Sequence, residues 1–260
     1  APGDWEDVHP FLEREGLRPL VVGRGSNLLF PDGQLPLCLI VPQKQGYPEV
    51  TARTQDRVIV RVSAGFSLPR LLHWLQERGL AGLEGLAGIP ASVGGAVAMN
   101  AGSFGQCMGD CLHRVRCWTS KSGLIWLKRS DVHLAYRSFR PQKVDGQWFI
   151  QEVELSLVQS DAVHLRERMR GFWDRKRRTQ PVGAKTCGCT FKNPELSPAG
   201  LLLERCGMRG KKVGEMEFSS LHANFLQNTG TGSFAQAWEL IAEARHRVLH
   251  RYGVDLELEV

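Results

Sequence analysis

Long apolar runs are missing from these 260 residues, and no stretch approaches the length that spans a bilayer. There is no basic-then-apolar leader, no internal repeat, no low-complexity tract and no flexible linker. The expectation is a cytoplasmic monomer of one large domain or two medium ones, with no membrane partner. Regular cysteine spacing is missing too. The seven cysteines, at positions 38, 107, 111, 117, 187, 189 and 206, form no C-x-x-C pair, which argues for a reducing compartment and against a disulfide framework. Cys187-x-Cys189 has no second Cys/His pair to complete a four-ligand set, so no metal site is expected.

Positive charge is present but confined. Of the net +6, an excess of five arises between residues 164 and 180, where seven Arg and Lys face two acidic residues. Leu165, Met169, Phe172 and Trp173 recur there at helical spacing, which predicts an amphipathic helix with a basic outer face. Such a face is either merely solvated or attracts an anion. A phosphorylated metabolite is preferred over nucleic acid, because no recognition motif accompanies the charge.

Glycine is concentrated in two places. Residues 88–102 (GIPASVGGAVAMNAG) combine glycines, a proline and small side chains with one large polar group, Asn100. Without Cβ atoms a backbone can approach a ligand closely. Gly94-Gly95 and Ala101-Gly102 offer N–H groups of the kind that hold phosphates. The alternative is a tightly packed turn between core strands. Upstream, residues 21–30 (VVGRGSNLLF) place Gly23 and Gly25 in a turn after a short strand, with Ser26 and Asn27 adding side-chain hydrogen bonds. No third glycine follows at the dinucleotide-fingerprint offset and no long helix opens there. The two segments together point to a cofactor-contacting surface.

Strands are predicted over residues 19–22, 58–62, 115–118, 124–127 and 148–157, the last with clear alternation. A helix is predicted over residues 68–78, with Pro69 in its first turn and Gly79 beyond its end. A helical piece covers residues 200–206. Ser233 and Gln236 form a capping-box pattern that opens a helix running to Tyr252 and stopping at Gly253. Residues 256–260 alternate like a strand, with two carboxylates on one face. The expected boundary lies near Ser160, giving domains 1–160 and 161–260.

Three stretches carry reactive groups. Tyr136 and Arg137 set a phenol beside a planar guanidinium suited to carboxylate or phosphate, though such a pair is often only a surface feature. Cys189 follows Gly188, and a thiol in that setting can be exposed to a ligand and give up a proton near neutral pH, or be a small buried hydrophobe. Asn193 can bond a sugar or base. Glu259 can act on a substrate carboxyl or face water.

Residues 22–29 (VGRGSNLL), 82–90 (GLEGLAGIP) with the glycine segment after it, 136–138 (YRS), 188–194 (GCTFKNP), 221–225 (LHANF) and the terminal Glu-Val resemble the signature stretches of the UDP-N-acetylenolpyruvoylglucosamine reductase family, MurB, in that family's order. The resemblance implies an α+β protein. Its first part is an FAD-binding domain of the p-cresol methylhydroxylase/vanillyl-alcohol oxidase type, in two subdomains. A smaller α+β substrate-binding domain follows, with a last strand returning toward the first domain. It implies non-covalent FAD, with NADPH reducing the flavin and hydride passing to the enolpyruvyl group of UDP-N-acetylglucosamine enolpyruvate to give UDP-N-acetylmuramate. FAD contacts carried over are Gly23, Gly25, Ser26, Asn27, Leu28, Gly88, Ile89, Pro90, Gly94, Gly95, Asn100, Ala101, Gly102, His222 and Asn224. Tyr136, Arg178 and Asn193 match substrate-positioning residues, with Arg177 also near the basic contact to diphosphate or NADPH. Arg137 matches the arginine that neutralises the substrate carboxylate, an electrostatic role at charge that develops during reaction. Cys189 stands where the family more often has the serine that protonates the carbanion. Glu259 matches the glutamate that assists at the carboxylate in its protonated form.

The family's threonine- and glycine-rich first strand is absent, and the spacing from Arg137 to Glu259 suits short forms without a substrate-capping loop. A rival reading, an alcohol or phenol oxidase on the same FAD fold, needs a flavin-linking His or Cys beside the glycine segment, and none there matches well. A basic anion- or nucleic-acid-binding module leaves the glycine segments and the Arg/Cys/Glu set unexplained.

Overall fold

A computed structural model describes residues 4–260 apart from Lys44 and Lys143. The chain divides into two compact units, Ala1–Arg24 with Pro36–Trp173, and Gly25–Leu35 with Asp174–Val260. The expected boundary near Ser160 is therefore moved into the helix Ala162–Thr179, and an early segment joins the later unit. That segment is claimed by specific contacts. Leu29 packs on the second core, and the Asp32 carboxylate accepts from the Phe234 N–H at 2.8 Å, at the start of the helix Phe234–Tyr252.

The first unit is built on an antiparallel sheet in the order Glu49–Arg53, Val58–Ser63, Trp148–Gln159, Leu112–Thr119, Gly123–Lys128, with the short strand Leu80–Ala81 pairing beside the end of Trp148–Gln159. The alternation of the long strand sends Val153, Leu155 and Leu157 into the core. Leu68, Leu71, Leu72 and Leu75, one face of the helix Leu68–Glu77, close over the same core. On the opposite face of the strand Glu154 is only 1% exposed, because Arg61 and Arg114 both bond its carboxylate and the Arg114 guanidinium lies 4.3 Å from the Trp126 ring. Three smaller pairs complete the unit: a parallel pair, Arg18–Val21 with Leu37–Ile40, the hairpin Val132–Ala135 with Ser138–Pro141, and the short hairpin Gly102–Ser103 with Gln106–Cys107. An N-terminal helix spans Asp4–Arg14.

The glycine segment is not all loop. It contains the helix Val93–Ala98, whose N-cap Ser92 accepts from the Gly95 N–H at 3.1 Å. A hydroxyl at the cap offsets the poor helix propensity of two glycines.

In the second unit the strands Thr186–Cys189, Phe225–Asn228, Met216–Phe218 and Lys212–Val213 form an antiparallel sheet in that order. Its core gathers Phe191, Leu203, Phe218, Leu240, Ile241 and Val248 from sheet and helices. The helix Phe234–Tyr252 has the expected capping box and ends at Gly253 with φ 67°. The strand expected over residues 256–260 is reduced to a single bridge, Phe191 to Leu258, flanked by Lys192 N–H to Glu257 O and Glu259 N–H to Thr190 O, each 2.9 Å. Among the described residues no helix is long and apolar enough to cross a membrane.

Candidate active site

A cleft of about 400 Å³ opens in the first unit. Gly23, Gly94 and Gly95 line one part of it, and Trp148, Phe149 and Ile150, where the long strand begins, line another. The small residues are there for fit. A Cβ on Gly94 would lie 2.7 Å from Ala64 Cβ, and one on Gly23 would lie 2.2 Å from Ser92 Oγ. A Cβ on Gly95 would meet only that same hydroxyl, at 3.1 Å. The bare backbone of the capped helix is thus presented to the cleft. With its apolar wall opposite, the space suits one half of a dinucleotide, a flat ring system or a sugar with phosphate.

In the second unit three segments converge on Cys189. The strand Thr186–Cys189 pairs with Phe225–Asn228 out of step, Thr186 opposite Gln227 and Cys189 opposite Phe225, so one extra residue is accommodated. Gly188, with φ 87°, takes the bend. A bulge re-aims the side chain that follows it, and here that is the half-exposed Cys189 thiol. Cys187 on the other side of Gly188 is buried, and burial pushes its thiol up to about 11, far from reactive. The Glu259 N–H bonds the carbonyl of Thr190, directly after Cys189. The Glu259 carbonyl accepts from Asn27 Nδ2 at 2.8 Å. A Cβ on Gly188 would stand 3.5 Å from Asn27 Oδ1 and 3.6 Å from Ser26 O. Lys192 and Glu257 form an ion pair that pins the same terminal segment.

Arg137 lies in the first unit, in the two-residue turn of the hairpin Val132–Ala135/Ser138–Pro141, with φ 54° and its guanidinium 4.9 Å from the centre of the Tyr136 ring. A non-glycine residue in the left-handed region is held there by its surroundings, and such positions concentrate at functional sites.

A curated UDP-N-acetylenolpyruvoylglucosamine reductase from Oleidesulfovibrio alaskensis is 47% identical over 264 residues, covering 98% of this chain and 88% of that protein. The chain belongs to the UDP-N-acetylenolpyruvoylglucosamine reductase family. Another member, from Nitratidesulfovibrio vulgaris, is 42% identical over 98% of this chain and 86% of its own length. The crystal structure of the MurB reductase from Thermus caldophilus matches with a TM-score of 0.79 at 33% identity, covering 95% of this chain and 86% of that one. Residues 180–260 match the family model described as the reductase's C-terminal domain, and residues 2–128 match an FAD binding domain. The α+β architecture and the FAD-binding domain expected from the sequence agree with both.

Within this MurB frame, Gly23, Gly94 and Gly95 line the cleft, while other nominated cofactor residues have different surroundings. Gly88, Ile89 and Pro90 form the turn leading to Ser92, with Gly88 at φ 84° and Ile89 packed on the core. Ala101 is buried in that core, and Gly102 starts a small hairpin against Cys107. Gly25, Ser26, Asn27 and Leu28 belong to the second unit. Asn100 is buried with its carboxamide spent on protein: Nδ2 donates to Ala135 O and Oδ1 accepts from the Gly109 N–H, both at 2.9 Å. Asn224 likewise uses its amide as a rung between strands, accepting from the Phe191 N–H at 3.0 Å and donating to Phe191 O at 2.8 Å. His222 Nδ1 accepts from the Asn224 N–H at 3.2 Å, and burial holds the imidazole below its ordinary pKa, so it sits neutral in a turn. Of the substrate candidates, Asn193 Oδ1 accepts from the Ala199 N–H at 3.0 Å at the start of the helix Ala199–Arg205, and Arg178 is exposed.

Ser92, Ala64 and the aromatic start of the long strand were not singled out from the sequence. Ser92 carried a usable signal, a cap-forming residue just before the two glycines. Ala64 and Trp148 carried none, because an alanine and a strand tryptophan read as ordinary core. Lys192 and Glu257 are also visible only once the terminal segment is seen to pair.

Proposed function

We infer that the chain catalyses the NADPH-dependent reduction of the enolpyruvyl group of UDP-N-acetylglucosamine enolpyruvate, giving UDP-N-acetylmuramate for peptidoglycan. The observation that carries this is the near full-length match to curated reductases of that name. FAD fits the first unit because the cleft is walled by the bare backbone of Gly23, Gly94 and Gly95, which packing against Ala64 and Ser92 keeps free of side chains, and by the apolar Trp148, Phe149 and Ile150. When bound, the flavin supplies two-electron chemistry, accepting hydride from NADPH and donating it to the terminal vinyl carbon.

The protein's own groups manage charge and the proton. As hydride arrives, negative charge grows on the neighbouring carbon and its carboxylate. The Arg137 guanidinium takes that carboxylate as a two-pronged donor, already placed before the charge develops. Cys189 Sγ gives its proton to the neighbouring carbon, completing addition of hydride plus proton across the double bond. The thiol suits the task because its ordinary pKa lies near the working pH. Glu259, protonated, donates to the same carboxylate, and Asn27 and Thr190 fix its main chain from both sides. Tyr136 and Asn193 orient the sugar, and Arg178 meets the diphosphate. The chain acts as a cytoplasmic monomer, with no nucleic acid or membrane partner.

The test is spectroscopic. Purified protein loaded with FAD should bleach with NADPH and recover its yellow colour when the enolpyruvyl UDP-sugar is added. In Cys189→Ala bleaching should persist, while recovery slows by about 10²-fold or more, the usual contribution of a positioned acid. Recovery at the unmodified rate would remove Cys189 as the proton donor. Bleaching by a simple alcohol in place of NADPH would favour an oxidase.

A further inference from the structure

The hairpin carrying Tyr136 and Arg137 stands outside the large sheet, its two strands pairing only with each other. Its strands are held by burial: Val132 at the base and Phe139 one rung below the turn enter the core, and the Phe139 ring meets Trp148 at 5.6 Å. Burial does not reach the tip, where Ala135 and Tyr136 are exposed. A polar tie reaches it there from Asn100.

Ala135 O is the last carbonyl before the turn, and it accepts from Asn100 Nδ2. The other end of that carboxamide is fixed by the Gly109 N–H. Gly109 must be glycine for this to happen, since a Cβ would lie 2.9 Å from both Asn100 Oδ1 and Leu134 Cδ1. Asn100 itself sits at φ 39°, a region asparagine tolerates better than most residues, and Arg137 sits at φ 54°. The buried Asn100 amide thus ties one left-handed residue to the strand end two residues before the other, and Asn100 belongs to the glycine segment that lines the cofactor cleft.

We propose that Asn100 is a positioning residue for the reduction: its carboxamide sets the Tyr136–Arg137 turn, and with it the direction of the Arg137 guanidinium, from the segment that walls the FAD cleft. This rests on the reading of Arg137 as the group that takes the substrate carboxylate. A side chain nominated as a cofactor contact then serves the substrate instead, at one remove.

The experiment compares Asn100→Gly and Asn100→Asp, each alone and combined with Arg137→Ala, in the FAD-loaded enzyme. Glycine is the truncation of choice because it keeps the left-handed backbone without strain. Aspartate keeps an acceptor for the Gly109 N–H, and its ionised carboxylate cannot donate to Ala135 O. FAD affinity and the rate of bleaching by NADPH should stay within about twofold, while KM for the enolpyruvyl UDP-sugar rises up to about tenfold, the scale of one lost hydrogen bond. On the Arg137→Ala background neither substitution should add anything, because residues acting through one another are not additive. Should Asn100→Gly fail to fold, Gly109→Ala presses on the same amide from its other side and should raise KM in the same direction. Fold-changes that multiply with Arg137→Ala overturn the proposal alone, as does lost FAD affinity with KM unchanged. An unaltered KM in Arg137→Ala by itself overturns the reading of Arg137, and the proposal falls with it.

Discussion

Glu154 shows what a single charge does in this fold. Burial raises the pKa of its carboxyl, but hydrogen bonds from Arg114 and Arg61 and their charges outweigh this and leave it below its ordinary value. Its contribution to stability is therefore complete above the ordinary carboxylate range and is lost as pH falls through the lower folded value. Glu154→Gln should destabilise the protein by about 1–2 kcal/mol at pH 7, since the buried carboxylate loses its charge while the two partly exposed arginines keep access to water. The gap to the unmodified protein should narrow below about pH 4. Urea midpoints of both proteins between pH 3 and 7 check this, and a gap independent of pH would assign the loss to packing. No periodicity announces such a residue: the sequence shows Glu152, Glu154 and Ser156 alternating with apolar neighbours, a pattern that does not tell a wetted face from a covered one. The covering arginines come from strands 40 and 93 residues away.

At the scale of elements, the reading from sequence succeeded wherever the cause is local. The Ser233/Gln236 box, Gly253, Pro69 and the alternation through the strand Trp148–Gln159 all act within a few residues, and the helices and strands appear where those residues ask for them. The helix Val93–Ala98 was hidden because glycine and alanine suit a turn as well, and only the Ser92 cap tips the balance. Its fit against the Gly23 turn yields a prediction. Gly23→Ala should cost about 1 kcal/mol, the value of a cap, because its methyl would displace Ser92 Oγ from the Gly95 N–H. Ser92→Ala should cost a similar amount alone, and the two together should cost less than their sum. Denaturation midpoints of the four proteins decide it, and strict additivity would mean that the hydroxyl and the turn do not compete. The bulge at Gly188 was equally silent, since a register shift depends on the partner strand.

For the molecule as a whole, each unit has its own apolar core, and the glycine-walled cleft lies in the first. Six of the seven tryptophans lie in that unit, leaving Trp238 in the other. In a Trp238→Phe variant, tryptophan fluorescence follows the first unit alone. Its unfolding should move up as FAD is added, by about 1.4 kcal/mol for each tenfold rise in free FAD above Kd. A melt that ignores FAD would remove the cofactor from this cleft. The division itself was misplaced from sequence because the helix Ala162–Thr179 keeps one uniform basic amphipathic pattern through the boundary, and because nothing near residues 25–35 reveals partners two hundred residues away. That detour has a consequence for synthesis. The segment leaves the ribosome early, yet its anchors, the Phe234 amide and the Glu259 carbonyl, are translated only after some two hundred further codons. Until then Leu29 travels without the core it later packs on, so the second unit ripens late, and a truncated message yields a polypeptide with that side chain unshielded.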